Sequence, residues 1–309
     1  MTAIVVDGLQ KVYGEQVAVD GVSFTVAEGE VLALLGPNGA GKTTTVEILT
    51  GHRRRTAGDV RVLGFDPETA GRDYRERIGV VLQSAGFEEE FTVRELVRLQ
   101  ARFYPRVHAP DEVIELVGLA GKRDARVKTL SGGQRRRLDL ALGLVGAPDL
   151  LFLDEPTTGF DPSARHQAWE LIARLRGHGT TVLLTTHYMD EAQHLADRAA
   201  VIQAGRLVAL ARPDELGTPE DRAAVITLRL PPAQSIVDLP RLTGEACRDN
   251  GALLVRTTSP VRDVHALSGW ALDHDVDPAG LTVVRPSLEE IYLRLTGKTV
   301  ESAEAGDGR

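Results

Sequence analysis

The residues with the clearest chemical potential are Gly36-Pro37-Asn38-Gly39-Ala40-Gly41-Lys42-Thr43, a run of the form G-x-x-x-x-G-K-[ST]. Glycines at this spacing let successive backbone N–H groups turn inward around an anion. Lys42 adds a positive charge able to reach the outer phosphates of a nucleotide, and Thr43 adds a hydroxyl suited to Mg²⁺. With average residue usage, such a run arises by chance in a chain of this length on the order of one time in a hundred. Its flanks sharpen the signal. Val31-Leu32-Ala33-Leu34-Leu35 predicts a strand before it, and Thr44 to Leu49 predicts a helix after it. The N-terminal end of that helix favours negative charge. Gly36 through Thr44 therefore imply a site for ATP and Mg²⁺.

A second chemical feature closes another apolar run. Leu150-Leu151-Phe152-Leu153 leads directly into Asp154-Glu155. A buried strand that delivers acids at its C-terminal end places them where open α/β sheets bind ligands. Asp154 suits a metal held through water, and Glu155 suits a general base that polarises an attacking water. A third feature is Leu130-Ser131-Gly132-Gly133-Gln134. A serine and two glycines ahead of a helix make another anion-binding N-terminus.

These groups need a sheet to hold them. Over roughly the first 210 residues, short apolar runs alternate with amphipathic stretches. Val17 to Val19, Val22 to Val26, Ile78 to Leu82, Thr181 to Thr185 and Ala199 to Ile202 read as further strands, most of them apolar enough to be covered on both faces. Glycine turns between the N-terminal runs predict an antiparallel patch beside the main sheet. Residues from about 90 to 148 carry helical spacing instead, with a Thr92 cap and an early Glu95, and predict an inserted helical lobe. The expected fold is therefore α/β, with domain boundaries at 1–216, a small α+β domain at 217–298 and a disordered polar tail at 299–309.

Composition narrows the function classes. Hydrophobic residues make up 42% and charged residues 26%, the mix of a globular protein. The net charge of -8 argues against nucleic acid as the main partner, because phosphate backbones are bound by clustered Lys and Arg. No stretch approaches the roughly 20 apolar residues of a membrane helix, and no signal-peptide pattern opens the chain. The expected location is the cytoplasm, with any membrane supplied by a partner. The single cysteine, Cys247, cannot form an internal disulfide and is expected as a small buried hydrophobe.

With Leu130 to Gln134 lying between the phosphate loop and the acidic strand, the first 215 or so residues resemble the ATP-binding subunit of ABC transporters. That resemblance implies a P-loop ATPase fold of the ABC type. It also implies a head-to-tail dimer, expected to be of identical chains, in which Ser131, Gly133 and Gln134 of one subunit close on the γ-phosphate held by the other. By the same resemblance Tyr13 stacks on adenine, and Gln83 senses Mg²⁺ and the γ-phosphate beside a membrane permease. His187 contacts the γ-phosphate, and Asp161 lies in a loop that crosses the dimer interface. Phe160 stands where the family usually has Leu.

Basic and acidic runs remain. Arg53-Arg54-Arg55 reads as a solvated face or a contact to lipid headgroups or a partner. Arg135-Arg136-Arg137 is expected to support the helix after Ser131 and the anion that helix faces. Glu88-Glu89-Glu90 reads as an exposed loop or a permease contact. Near the C-terminus, Pro286 to Lys298 resembles the ending of type-2 ABC exporter ATPases, including daunorubicin/doxorubicin-resistance subunits. Helical spacing there puts Leu288, Ile291, Tyr292 and Leu295 on one face. The function implied is an ATPase that powers efflux of a drug, antibiotic or lipid-like molecule, peripheral at the cytoplasmic face of the cell membrane. A non-transport ATPase acting on chromosomes or ribosomes, or a regulatory nucleotide-binding module, stays as the alternative. The lack of sustained heptads, the single cassette, and the presence of Glu155 and His187 weigh against these.

Overall fold

A computed structural model describes residues 1–82, 86, 88–177, 179–229, 239–249, 251–277 and 279–297. Gln83 and the expected tail, 299–309, lie outside these residues. The chain divides into two compact units, Met1–Pro213 and Asp214–Arg309.

In the first unit the elements run β1 (Thr2–Tyr13), β2 (Gln16–Ala27), β3 (Val31–Leu35), α1 (Lys42–Leu49), β4 (Ala57–Val62), α2 (Arg72–Arg75) and β5 (Ile78–Val81). The lobe follows as α3 (Val93–Ala101), α4 (Pro110–Leu116) and α5 (Gly132–Leu144). The chain then completes the unit with β6 (Leu150–Asp154), α6 (Pro162–Gly177), β7 (Thr181–Thr186), α7 (Met189–Leu195), β8 (Arg198–Gln203) and β9 (Arg206–Ala211). The main sheet has the order β5-β6-β7-β3-β8-β9, parallel except for the edge strand β9. Every residue of β3, β6 and β7 is buried, as expected of parallel strands covered on both faces. Because β7 lies between β6 and β3, the C-terminal ends of these three strands open side by side.

An antiparallel sheet, β2-β1-β4, is packed into the same core through Ile4, Val6, Leu9, Phe24, Val60 and Val62. The two strands expected within 17–26 are one. Gly21, at φ 69°, marks an irregularity between the pairs Leu9 to Val22 and Lys11 to Val19 and bends the strand without ending it. In the lobe, Thr92 and Glu95 form a reciprocal cap that starts α3.

The second unit is a four-stranded antiparallel sheet ordered β11 (Glu245–Asp249), β12 (Ala252–Thr257), β10 (Ala224–Arg229) and β13 (Ala279–Val284). Helix α8 (Pro260–Asp273) covers one face, with Leu267 and Trp270 on Ile226, Leu253 and Val255. The last described helix is α9 (Leu288–Leu295), capped by Ser287 and Glu290. Leu288, Ile291 and Tyr292 are buried, while Leu295 is only half-buried. Cys247 departs from expectation: it is exposed, because β11 is an edge strand with little packed against it. No helix among the described residues is long and apolar enough to cross a membrane.

Candidate functional site

The loop from Gly36 to Gly41 connects the end of β3 to the start of α1, as its sequence context requires. Two of its glycines are dictated by close backbone approach. A Cβ at Gly36 would lie 2.3 Å from the Ile202 carbonyl oxygen, and one at Gly41 would lie 2.4 Å from that of Ala18. Gly41 also has φ 102°, which side-chain-bearing residues rarely adopt. The Lys42 ammonium folds back into the loop, donating to the carbonyls of Gly36 at 2.8 Å and Pro37 at 3.1 Å. It lies 3.9 Å from Glu155 Oε1. Burial lowers the Lys42 pKa below the ordinary lysine value, and the charges of Glu155 and then Asp154 oppose that shift. Tyr13, Asn38, Gly39, Lys42, Thr43, Thr44 and Glu155 line one open cleft.

The acid pair is tied down by a residue that sequence reading passed over. Asp154 and Thr185 are cross-strand neighbours in the register of β6 with β7. The Thr185 hydroxyl donates to Asp154 Oδ1 at 2.5 Å, and Thr43 Oγ1 donates to the same oxygen at 3.3 Å. Thr185 also accepts the Glu155 N–H, through its hydroxyl at 3.0 Å and its carbonyl at 3.1 Å. Asp154 Oδ2 is buried without a protein partner. A carboxylate with one oxygen held by two hydroxyls and the other unpaired suits a hydrated hard cation, so these residues fit Mg²⁺. Among the described residues no group of three or more His, Cys, Asp or Glu could hold a metal by itself. An ion here would therefore draw further ligands from phosphate oxygens and water.

Glu155 sits at φ 48°, a left-handed conformation that costs a non-glycine residue about 1–2 kcal/mol. The turn aims its carboxylate across the site instead of along the strand. Thr158 Oγ1 donates to Glu155 Oε2 at 3.2 Å, and His187 Nδ1 stands 3.3 Å from Oε1, near enough for an ion pair but misaligned for a hydrogen bond. His187 follows β7 directly, so β3, β7 and β6 deliver Lys42, His187 and Glu155 to one place. Such a cluster can bind a polyphosphate and hold a base close to its terminal phosphorus.

Tyr13 ends β1, with Lys11 Nζ 4.9 Å and the Arg53 guanidinium 5.2 Å from its ring centre. Ser131, Gly133 and Gln134 are not part of this cleft. They form the start of α5, where Ser131 Oγ accepts the Gln134 N–H and Gln134 Oε1 accepts the Ser131 N–H. A Cβ at Gly132 or Gly133 would meet nothing within 4 Å, so this surface is open to an approaching group. Asp161 Oδ1 accepts the Ala164 N–H at the start of α6, and Phe160 is buried in a small cluster with Ala164 and Ala168.

The charged runs resolve residue by residue. Arg53 pairs with Glu47 at 2.5 Å and lies over Tyr13, while Arg55 forks onto Asp66 with two bonds of 2.7 Å. Arg54 alone is strongly exposed, so the run as a whole is not the solvated face expected. Glu90 pairs with Arg126 and Lys128, and Glu89 with Arg135, tying the acidic run to the lobe. Arg135 supports the helix start through the Leu130 carbonyl. Arg136 points away from Ser131 and is buried against carbonyls at the ends of β5 and β6.

Known proteins align with this architecture. The family model described as ABC transporter matches residues 19–158, and that described as ABC transporter domain-containing protein-like, C-terminal domain, matches residues 224–287. The daunorubicin resistance ATP-binding protein DrrA3 of Streptomyces coeruleorubidus is 42% identical over 316 residues, covering 98% of this chain and 99% of the relative. The Nod factor export ATP-binding protein I of Paraburkholderia xenovorans (strain LB400) is 41% identical, covering 97% and 98%. Among solved structures, the dimeric structure of MJ0796, a bacterial ABC transporter cassette, superposes with a TM-score of 0.63 at 25% identity, over 68% of this chain and 98% of that one.

Proposed function

The chain belongs to the ABC transporter family as an ATP-binding, ATP-hydrolysing subunit, and on that footing we propose that it is one protomer of a paired motor driving export through a separate membrane permease. What supports the catalytic assignment is the meeting of Lys42, Glu155 and His187 at the ends of three adjacent parallel strands. Tyr13 stacks on adenine. The N–H groups from Gly39 to Thr44 and the Lys42 ammonium hold the β- and γ-phosphates. Thr43 and Asp154 would hold Mg²⁺, which would neutralise phosphate charge when bound.

Glu155 takes the proton of the attacking water as the water oxygen bonds to the γ-phosphorus. The bond from that phosphorus to the bridging oxygen breaks, leaving ADP and phosphate. Gln83 and His187 hold the γ-phosphate in line. Ser131, Gly133 and Gln134 of a second, identical subunit complete the site from the opposite side, which gives the open start of α5 its use. Closing and opening of the pair shift the permease between its two access states. The subunit thus works at the cytoplasmic face of the cell membrane, bound through its partner. The unit following Pro213 serves as an accessory domain. Relatives named for daunorubicin resistance and Nod factor export support a drug, antibiotic or lipid-like cargo.

The test is Glu155→Gln, which keeps the shape of the side chain and removes the base. ATP binding persists and steady-state phosphate release is lost. Normal turnover by that variant would remove Glu155 from the mechanism.

A further inference from the structure

Arg136 lies one turn into α5, and its side chain is almost wholly buried. Its donors go to main-chain carbonyls. Nη1 donates to Leu82 at 2.6 Å, Nη2 to Asp154 at 2.6 Å and Glu155 at 2.9 Å, and Nε to Pro156 at 3.1 Å. The Asp139 carboxylate is 3.8 Å away. Burial lowers the arginine pKa, and Asp139, Asp154, Glu155 and Glu191 oppose that shift. A buried guanidinium is an expensive means of satisfying carbonyls that a sheet or water could serve. Its geometry is what distinguishes it: one planar fork spans the ends of two strands and the turn after them.

The helix is brought close enough for this by two glycines. A Cβ on Gly79 of β5 would lie 2.2 Å from the Gly143 carbonyl oxygen, and one on Gly143 would lie 2.8 Å from Val81. A larger residue at either position would force helix and strand apart. Glu155 is then anchored on both sides. Thr185 accepts from its N–H and Arg136 donates to its carbonyl. These two anchors constrain the left-handed turn that points the Glu155 carboxylate at Lys42 and His187.

We propose that Arg136 is a positioning residue for hydrolysis, holding Glu155 in its left-handed turn and tying that turn to α5, the helix that begins at Ser131. One side chain thereby sets both the aim of Glu155 and the register of α5 against the strand ends. Leu82, the residue before Gln83, is held by the same fork. The proposal rests on Glu155 acting as the base.

It is tested with Arg136→Lys and Arg136→Gln in the full-length chain, each also combined with Glu155→Gln. Lys keeps the charge opposite Asp139 but loses the fork, and Gln keeps a donor without the charge. Steady-state phosphate release and ATP affinity are measured for each. Both single variants are expected to lose about 100-fold in kcat, the scale set by misplacing a reacting group by about an ångström, with ATP affinity within about threefold of the parent. In single-turnover assays on the Glu155→Gln background, Arg136→Lys is expected to remove less than about threefold of the residual rate, because there is no base left to aim. A kcat loss under about tenfold in both single variants would overturn the proposal. So would an equal loss with and without Glu155, or loss of ATP binding in both variants, which would assign Arg136 to the fold alone. Normal turnover by Glu155→Gln itself would instead refute the base assignment, so the two failures are distinguishable.

Discussion

Asp139 gives a prediction whose size and sign follow from its surroundings. It lies on α5, one turn beyond Arg136, with only 11% of its side chain exposed. Burial pushes its carboxyl up from the ordinary 3.8 to about 6, while the Arg136 charge pulls the other way without prevailing. The folded chain therefore keeps this proton to higher pH than the unfolded chain. Between about pH 4 and 6 the folded state binds more protons, so stability falls as pH rises through that window. Above it the ionised carboxylate carries a penalty of up to about 3 kcal/mol. Asp139→Asn imitates the protonated form and removes the penalty. At pH 8 the variant is expected to be more stable by up to about 3 kcal/mol, or roughly 6–12 °C in Tm for a unit of this size. At pH 5 the gain shrinks to about half, and near pH 4 to about 0.5 kcal/mol. Urea and thermal unfolding of parent and variant across pH 4–8 measure this directly. A gain that does not vary with pH, or a loss at pH 8, would refute the argument that desolvation dominates at Asp139.

Three further substitutions probe the cleft. Gly41→Ala puts a methyl 2.4 Å from the Ala18 carbonyl at φ 102°, and is expected to weaken ATP binding at least about tenfold in an equilibrium nucleotide titration. Thr185→Val removes the hydroxyl that holds both Asp154 and the Glu155 N–H. A loss of about 1–3 kcal/mol in kcat/KM, roughly 5- to 150-fold, should appear in phosphate-release assays, with Thr185→Ser close to the parent. Tyr13→Ala removes a stacking platform worth about 1–3 kcal/mol, so KM for ATP rises at least about fivefold with kcat little changed, while Tyr13→Phe binds normally.

The parts legible in the sequence are those whose signal is local. The phosphate loop announces itself through glycine spacing and its strand and helix flanks. Asp154 and Glu155 are marked by the fully apolar run before them, which suits a strand buried on both faces and forms one. Thr92 with Glu95, three residues apart, closes as the capping box its spacing predicts, and Ser287 with Glu290 forms the same box ahead of α9. Strand β4 carries a weaker signal, since Ala57-Gly58-Asp59 has no apolar alternation and gains its place by pairing with β1. Strand β9 is likewise defined by its partner, β8.

What the sequence conceals is the choice of partner across long separations. Arg135, Arg136 and Arg137 look alike in a row, yet the helix turns each about 100° from the last. Arg135 therefore meets Glu89, while Arg136 enters the core between strand ends. Nothing in the run itself says which arginine is desolvated. The deciding signal is elsewhere, in Gly79 and Gly143, whose missing side chains let helix and strand backbones approach. The same logic separates Arg53 and Arg55 from Arg54: Glu47 and Asp66 lie 6 and 11 residues from the arginines they bind. Thr185 was hidden for a related reason, because a threonine in an apolar strand reads as β-propensity until the register sets it opposite Asp154. Catalytic side chains can be recognised by type and spacing, whereas the groups that aim them are recognised by what the fold places beside them. It follows that substitutions at Arg136 and Thr185 should resemble substitutions at Glu155 in kinetics more than their own neighbours in sequence do.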